Sequence, residues 1–293
     1  MGGSNIRLLP CEGDIQMIVC TKMNGNGNDF LVINNMGLKY DARTLSEFAV
    51  RLCRRREAVG ADGILVAEPS ARLDFKMRLF NRDGSEGEMC GNGSRCIARF
   101  AFEKGIVKKP EMVFETLGGD IHARVNGRWA AIQLAPVSVK DVAVDAPASV
   151  EGFNFNYTFL TVGVPHAVIF EDKRRPDDEY RALGKKIRDR LDLFPAGANI
   201  DFAVPREGRD AGLDVTTYER GVEDLTLSCG TGSTASAIAA VLIGVTGPKV
   251  DVYNPGGLNR VSLRFDSADM VQPELEGAMS MVAELEISEE ALN

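Results

Sequence analysis

Apolar and polar residues alternate where Leu73, Phe75, Met77 and Leu79 are interleaved with Asp74, Lys76 and Arg78. A period of two puts the apolar set on one face of an extended chain, so a half-buried strand is predicted there. Upstream, Leu45, Phe48, Ala49, Leu52 and Cys53 recur in steps of three and four. That spacing predicts an amphipathic helix with Asp41 near its start and Cys53 on the packed stripe. Strand-like runs at residues 17–21 and 31–34 flank a Gly/Asn-rich segment, residues 22–30, expected to be a loop. Residues 112–116, 121–125 and 129–134 predict three more strands, jointed at Gly118-Gly119 and Asn126-Gly127; the second joint is a strong hairpin signal. Residues 136–152 are rich in Val, Ala, Pro and Ser with no clear period, and a domain boundary is expected there.

The second half repeats the plan. Strands are predicted at residues 157–162 and 167–170, on either side of the expected loop Gly163-Val164-Pro165-His166. A helix follows near residues 178–191, with Tyr180, Leu183 and Ile187 on one face. Gly197-Ala198-Asn199 leads into a strand, another covers residues 214–218, and strands at 261–265 and 281–287 close the chain. Loop, helix, strand, Cys-Gly-x-Gly-Ser and helix therefore occur twice, as duplication of one α+β unit would leave them. The expected division is residues 17–135 plus 278–293 for the first half and 136–277 for the second. Residues 1–16 are expected to be a dispensable extension.

Composition narrows the chemistry. At 293 residues the chain can bury a sizeable core without disulfides, and its six cysteines are read as reduced thiols, which suits the cytoplasm. A net charge of −8 argues against nucleic acid as a partner. The basic runs Arg54-Arg55-Arg56 and Lys173-Arg174-Arg175 are read as solvated surface. The most apolar window, residues 235–245, is too short to span a bilayer, so no membrane partner is expected. The only histidines are His122 and His166, and there is no Cys-x-x-Cys pair, phosphate-binding loop or dinucleotide fingerprint. Nothing demands a metal or a prosthetic group.

Candidate chemistry centres on Cys90-Gly91-Asn92-Gly93-Ser94 and its echo Cys229-Gly230-Thr231-Gly232-Ser233. Each is predicted to place a thiol at the start of a helix, where glycines let the backbone approach a ligand and free N–H groups face an anion. The positive end of the helix dipole is expected to lower both thiol pKa values toward the working range. Two matched thiols and no cofactor suit moving a proton from one face of a carbon to the other. His166 after Pro165, Glu219-Arg220 at a strand exit, and Asn28, Asn81 and Asn199 at strand ends are the further candidates. A thiol-redox protein working through a Cys90–Cys229 disulfide and a non-catalytic small-molecule binder remain alternatives.

At these residues the sequence resembles the diaminopimelate epimerase family. The resemblance runs from Met17 nearly to the C-terminus and rests on ordered motifs. In the first half they are Lys22-Met23-x-Gly25-x-Gly27-Asn28-Asp29-Phe30, Asn81-x-Asp83-Gly84-Ser85-Glu86 and Met89-Cys90-Gly91-Asn92-Gly93-x-Arg95-Cys96. In the second they are Gly163-x-Pro165-His166, Asn199, Tyr218-Glu219-Arg220-Gly221 and Cys229-Gly230-Thr231-Gly232. The resemblance implies two pseudo-symmetric α/β domains of α+β class, each a curved, mostly antiparallel sheet around a central helix, with the active site in the cleft between them. It also implies an isomerase that works without a cofactor on a small amino-acid substrate, and a homodimer. By resemblance, Cys90 and Cys229 are the acid/base pair, and His166 and Glu219 hold and polarise substrate and thiols. The backbone of Gly91, Asn92, Gly230 and Thr231 clamps the reacting carboxylate, while Asn28, Asn81, Asn199 and Arg220 grip the distal end. Two positions depart from the family pattern: Val164 stands where many members carry asparagine, and Leu225 where glutamate is usual. They leave room for a racemase of another amino acid, such as histidine or a diamino acid, on the same scaffold.

Overall fold

The computed structural model describes residues 17–208 and 212–292; the expectation for residues 1–16 lies outside them. Strands β1 (Ile18–Gly25) and β2 (Asn28–Asn34) form a hairpin around Asn26-Gly27, whose φ angles of 54° and 89° are those of a primed turn. The expected loop at residues 22–30 is thus corrected to a two-residue turn, and the polar residues around it belong to paired strands. Asp41 caps α1 (Ala42–Leu52) by accepting from the Thr44 N–H at 2.8 Å, and Leu45, Phe48, Ala49 and Leu52 are buried. β3 (Gly63–Glu68) runs parallel to β2 and is buried along its whole length. No period marks such a strand, because both of its faces are covered. β4 (Phe75–Asn81) pairs antiparallel with β3, and the short β5 (Glu86–Gly87) returns along it to α2 (Gly91–Glu103). β6 (Glu111–Thr116), β7 (Gly119–Asn126) and β8 (Trp129–Gln133) follow, with Asn126 opposite Trp129 across the expected hairpin.

Residues 136–152 turn out to hold β9 (Val137–Ser138) and β10 (Ala143–Val150). Their periodicity is weak because β10 is largely half-exposed and is held by backbone pairing to β11 (Phe153–Val162), not by an apolar face. β12 (Val164–Phe170) begins one residue later: Gly163, at φ 70°, makes the whole reversal between the paired Val162 and Val164. The expected loop Gly163–His166 is therefore corrected, and His166 lies within a strand. The chain continues through α3 (Asp177–Arg188), β13 (Asn199–Arg206), β14 (Gly212–Glu219), β15 (Asp224–Thr226) and α4 (Gly230–Leu242). β16 (Lys249–Asn254), β17 (Gly257–Phe265) and β18 (Met270–Ile287) complete it. The predicted last strand, residues 281–287, is only the tail of β18.

β18 is long because it serves two closed sheets. Its tail pairs with β1, and residues 274–278 pair with β8, so β1, β2, β3, β4, β6, β7, β8 and β18 close a ring around α2. Its first part pairs with β17 and β9, and β9 leads into β10. A second ring thereby runs through β11, β12, β13, β14, β16 and β17 around α4. Both central helices are buried on nearly every face, as a helix inside a closed sheet must be. Outside the rings, α1 packs on one sheet with Phe80 beneath it, and α3 packs on the other with Tyr218 beneath it.

Gly184 sits on the packed face of α3, and a methyl group added there would lie 2.6 Å from Tyr218 Cβ. Alanine in an exposed helix stabilises by about 1 kcal/mol over glycine, whereas overpacking costs about 1–3 kcal/mol. Gly184→Ala is therefore expected to lower the melting temperature by roughly 2–6 °C, read by calorimetry; an increase would mean that Tyr218 moves aside freely.

Candidate active site

Each thiol occupies the position at which a helix begins. The polar turn after β4 delivers Cys90 in an extended conformation (φ −141°, ψ 123°), and its Sγ accepts the Gly93 N–H at 3.5 Å. Cys229 repeats this at the start of α4 (φ −114°, ψ 114°), with Sγ accepting the Gly232 N–H at 3.3 Å. Sulfur thus stands where a Ser or Asp oxygen usually caps a helix. The glycines are there for close approach. A methyl group at Gly93 would press on Leu65 at 3.1 Å, and one at Gly232 would run into Asp201 and Thr217. The two tips also converge. A methyl group at Gly91 would lie 3.7 Å from Leu275 Cδ2, and one at Gly230 would lie 2.8 Å from the same atom.

Around Cys90, the thiol donates to Asn28 Oδ1 at 3.5 Å, and Asn28 Nδ2 donates to Asp62 Oδ2 at 2.6 Å. Arg55 Nη2 supports Asp62 at 2.9 Å and Asp29 at 2.6 Å, so this arginine of the expected solvated run closes a network behind the site. Around Cys229, Thr231 Oγ1 lies 3.3 Å from Sγ. His166 is fully buried, with Nδ1 2.7 Å from Asp201 Oδ2, and Thr217 donates to the other carboxylate oxygen at 2.6 Å. Because the carboxylate accepts, Nδ1 carries the hydrogen, and the buried Nε2 has no partner among the described residues. Asn199 opens β13 opposite His166 and accepts the Arg220 N–H at 2.8 Å; Arg220 Nη1 donates to the Ala196 carbonyl at 2.6 Å. Asn92 is buried and accepts from Arg95 Nη2 at 2.5 Å.

The structure therefore joins Asn28 to Cys90, Thr231 to Cys229 and Asn199 to Arg220. Asn81, at the exposed end of β4, bonds to Ser85 instead. Sequence reasoning missed Asp201, Asp62, Arg95 and Leu275. A carboxylate between Ile200 and Phe202 in an apolar strand was the one available signal.

Electrostatics overturns the expectation of acidic thiols. Burial pushes the Cys90 thiol above its ordinary value, against smaller lowering effects from the Gly93 and Asn92 N–H groups and from Arg95. Burial pushes Cys229 well above the ordinary thiol range, and the charges of Glu219 and Asp201 add to it. Removing a thiolate from water outweighs the dipole of one helix end, which is worth at most about 2 kcal/mol. Glu219 is also raised, first by burial and then by Asp201, against lowering by Thr226 and His166. Its charge raises both thiols, more strongly Cys229 than Cys90.

The ligand-free protein should hold both groups as thiols near neutral pH, because a raised pKa leaves the thiolate scarce until the pH climbs above the usual thiol value of 9.0. Iodoacetamide labelling of Cys90 and Cys229 should accelerate with pH without levelling off below pH 9. A plateau near pH 7 would show the helix tips overcoming burial.

Comparison with known proteins agrees with this arrangement. The diaminopimelate epimerase family model matches residues 20–137 and 158–277. The chain is 40% identical over 272 residues to diaminopimelate epimerase of Caldanaerobacter subterraneus subsp. tengcongensis, covering 87% of this chain and 96% of that one. It is likewise 40% identical over 283 residues to the enzyme of Aquifex aeolicus, covering 92% and 98%. Among solved structures, a hydroxyproline epimerase from Agrobacterium vitis shares the fold at a TM-score of 0.66 and 17% identity, covering 93% and 92% of the two chains. A methylitaconate-delta-isomerase shares it at 0.69 and 15%, covering 96% and 98%. With the duplicated cysteine-capped helices and a family match over most of its length, the chain belongs to the diaminopimelate epimerase family.

Proposed function

We propose that this protein is a diaminopimelate epimerase that converts LL-2,6-diaminopimelate to the meso form by passing a proton between two thiols. The observation that carries this reading is the convergence of two cysteine-capped helix tips on one side chain, Leu275. One sulfur, as thiolate, takes the Cα proton; the electron pair left behind spreads into the carboxylate; the other thiol gives its proton to the opposite face. Atoms balance, and the two sulfurs exchange roles. A Cα–H beside a carboxylate is a weak acid, so the enediolate-like charge needs donors that are already aimed. The N–H groups of Gly91, Asn92, Gly230 and Thr231, at two positive helix ends, are the donors assigned to it.

Because both resting thiols are held protonated, one must lose a proton as substrate arrives. Glu219, whose charge reaches both sulfurs, and His166, with its free Nε2, are the groups assigned to this step. Asp201 keeps the imidazole in a single tautomer. Asn28, Asn81, Asn199 and Arg220 are assigned to the distal end of the substrate, with Arg220 suited to a carboxylate. Val164 begins β12, and Leu225, half-buried on β15, faces Tyr218, so both departures from the family pattern lie on the strands that carry His166 and flank Glu219. The reading carries with it a cytoplasmic location and a homodimer. Among the described residues no helix is long and apolar enough to cross a membrane.

Turnover of LL-diaminopimelate in deuterium oxide should place deuterium at the inverted Cα, seen by mass spectrometry. Product free of label would exclude transfer through exchangeable thiols. Cys90→Ala and Cys229→Ala should each lose roughly 100-fold or more in kcat while melting within a few degrees of the parent; a near-normal rate in either removes that residue from the reaction. Assay against histidine and other amino acids separates this substrate from rivals on the same scaffold. Sedimentation should give twice the chain mass of 31.8 kDa, and a monomer would refute the dimer.

A further inference from the structure

Arg95 is the largest fully buried side chain among the described residues, at 0% exposure. It has one hydrogen bond, to Asn92 Oδ1, while its Nε and Nη1 are buried without a partner among the described residues. A guanidinium in that state is costly, because a buried charge is ordinarily paired. Burial pulls Arg95 down to about 10, and the charges that act on it are the sulfurs of Cys96 and Cys90. Cys96 is sealed in the core and pushed up to about 12, so it is not the missing anion. The counter-charge has to come from the tip of α2.

The position of the guanidinium supports this. Helical side chains lean toward the N-terminus, and the bond to Asn92 holds the Arg95 head one turn back, near the tip. It also lies against Gly277, where a methyl group would be 3.1 Å from Arg95 Cζ and Nε. Gly277 and Leu275 share the buried face of β18, so the cation sits beside the point where the two tips converge. The duplication breaks here. In α4 the corresponding residue is Thr234, uncharged and bonded to the Gly230 carbonyl. The charges that act on Cys90 are Arg95 from its own helix and Glu219 from β14; those that act on Cys229 are two carboxylates, Glu219 and Asp201.

We propose that Arg95 is a positioning residue of the reaction: its buried, unpaired guanidinium keeps the α2 tip positive, so that negative charge gathers on Cys90 and the bound carboxylate in preference to Cys229. The proposal rests on the two-thiol reading above and adds a polarity to it. Cys90 is the sulfur that loses its proton as substrate arrives, and Cys229 the one that stays a thiol.

The test compares Arg95→Met, Arg95→Lys and Arg95→Gln with the parent. Iodoacetamide labelling of each cysteine is followed against pH without substrate, beside melting temperature, kcat and KM. Arg95→Met should melt at or above the parent temperature, since an unpaired buried charge is gone. Its Cys90 labelling at pH 9 should fall about tenfold while Cys229 changes little, and kcat should fall more than KM rises. Arg95→Lys should recover most of the Cys90 labelling. An unchanged Cys90 profile in Arg95→Met, or equal slowing at both cysteines, would overturn the proposal. Should the Met variant fail to fold, Arg95→Lys and Arg95→Gln decide, and identical Cys90 profiles in that pair would likewise overturn it. Labelling needs no substrate, so it stands or fails separately from the assignment of diaminopimelate.

Discussion

Two thiols, Cys229 buried and Cys90 half-buried, begin two helices, and each helix is enclosed by its own sheet. Burial disfavours thiolate by several pKa units at full desolvation, whereas a helix end returns only a fraction of that. Burial therefore outweighs the helix ends and raises both thiols above their ordinary value. The tip N–H groups remain directed at any anion that enters.

The enclosure depends on one strand. β18 pairs with β17 and β9 along its first part and with β1 along its tail, so it closes both rings. Its buried face presents Leu275, Gly277 and Met279 in succession. Leu275 separates the two glycines at the helix starts, Gly277 makes room for Arg95, and Met279 packs on Gly25 and Cys96. The geometry of the site and the closure of the fold are thus set by the same few residues.

Symmetry relates the halves, and it breaks at residues assigned to the chemistry. Phe30, Gly63 and Asn81 stand in one row across β2, β3 and β4. In the second half His166 and Asn199 stand in that row, with Glu219 one residue beyond the Ile200–Tyr218 pair. A phenylalanine is answered by a histidine, a glycine by an asparagine and an asparagine by a glutamate. His166 and its partner Asp201 therefore belong to the Cys229 side, while the buried cation Arg95 belongs to the Cys90 side. Such polarity suits a substrate whose reacting carbon carries different groups on its two sides.

Much of this was legible in the residues alone. The period of α1, the alternation of β4 and the repeated Cys-Gly-x-Gly-Ser segment are local, and local patterns survive folding. What they could not carry were strands without a pattern, β3 because both its faces are covered and β10 because backbone pairing holds it, and the start of β12, where one glycine replaces a loop. Asn26-Gly27 announced a turn, yet only the pairing of β1 with β2 showed how short it is. The sequence by itself determined that two thiols would begin two helices inside a duplicated α+β fold. Only the tertiary structure decided that the tips meet at Leu275, that Asp201 orients His166 and that Arg95 has no counter-ion among the described residues, because each depends on residues far apart in the chain. It also decided the direction in which the thiol pKa values move, since desolvation is a property of everything packed around a group and not of its neighbours in sequence.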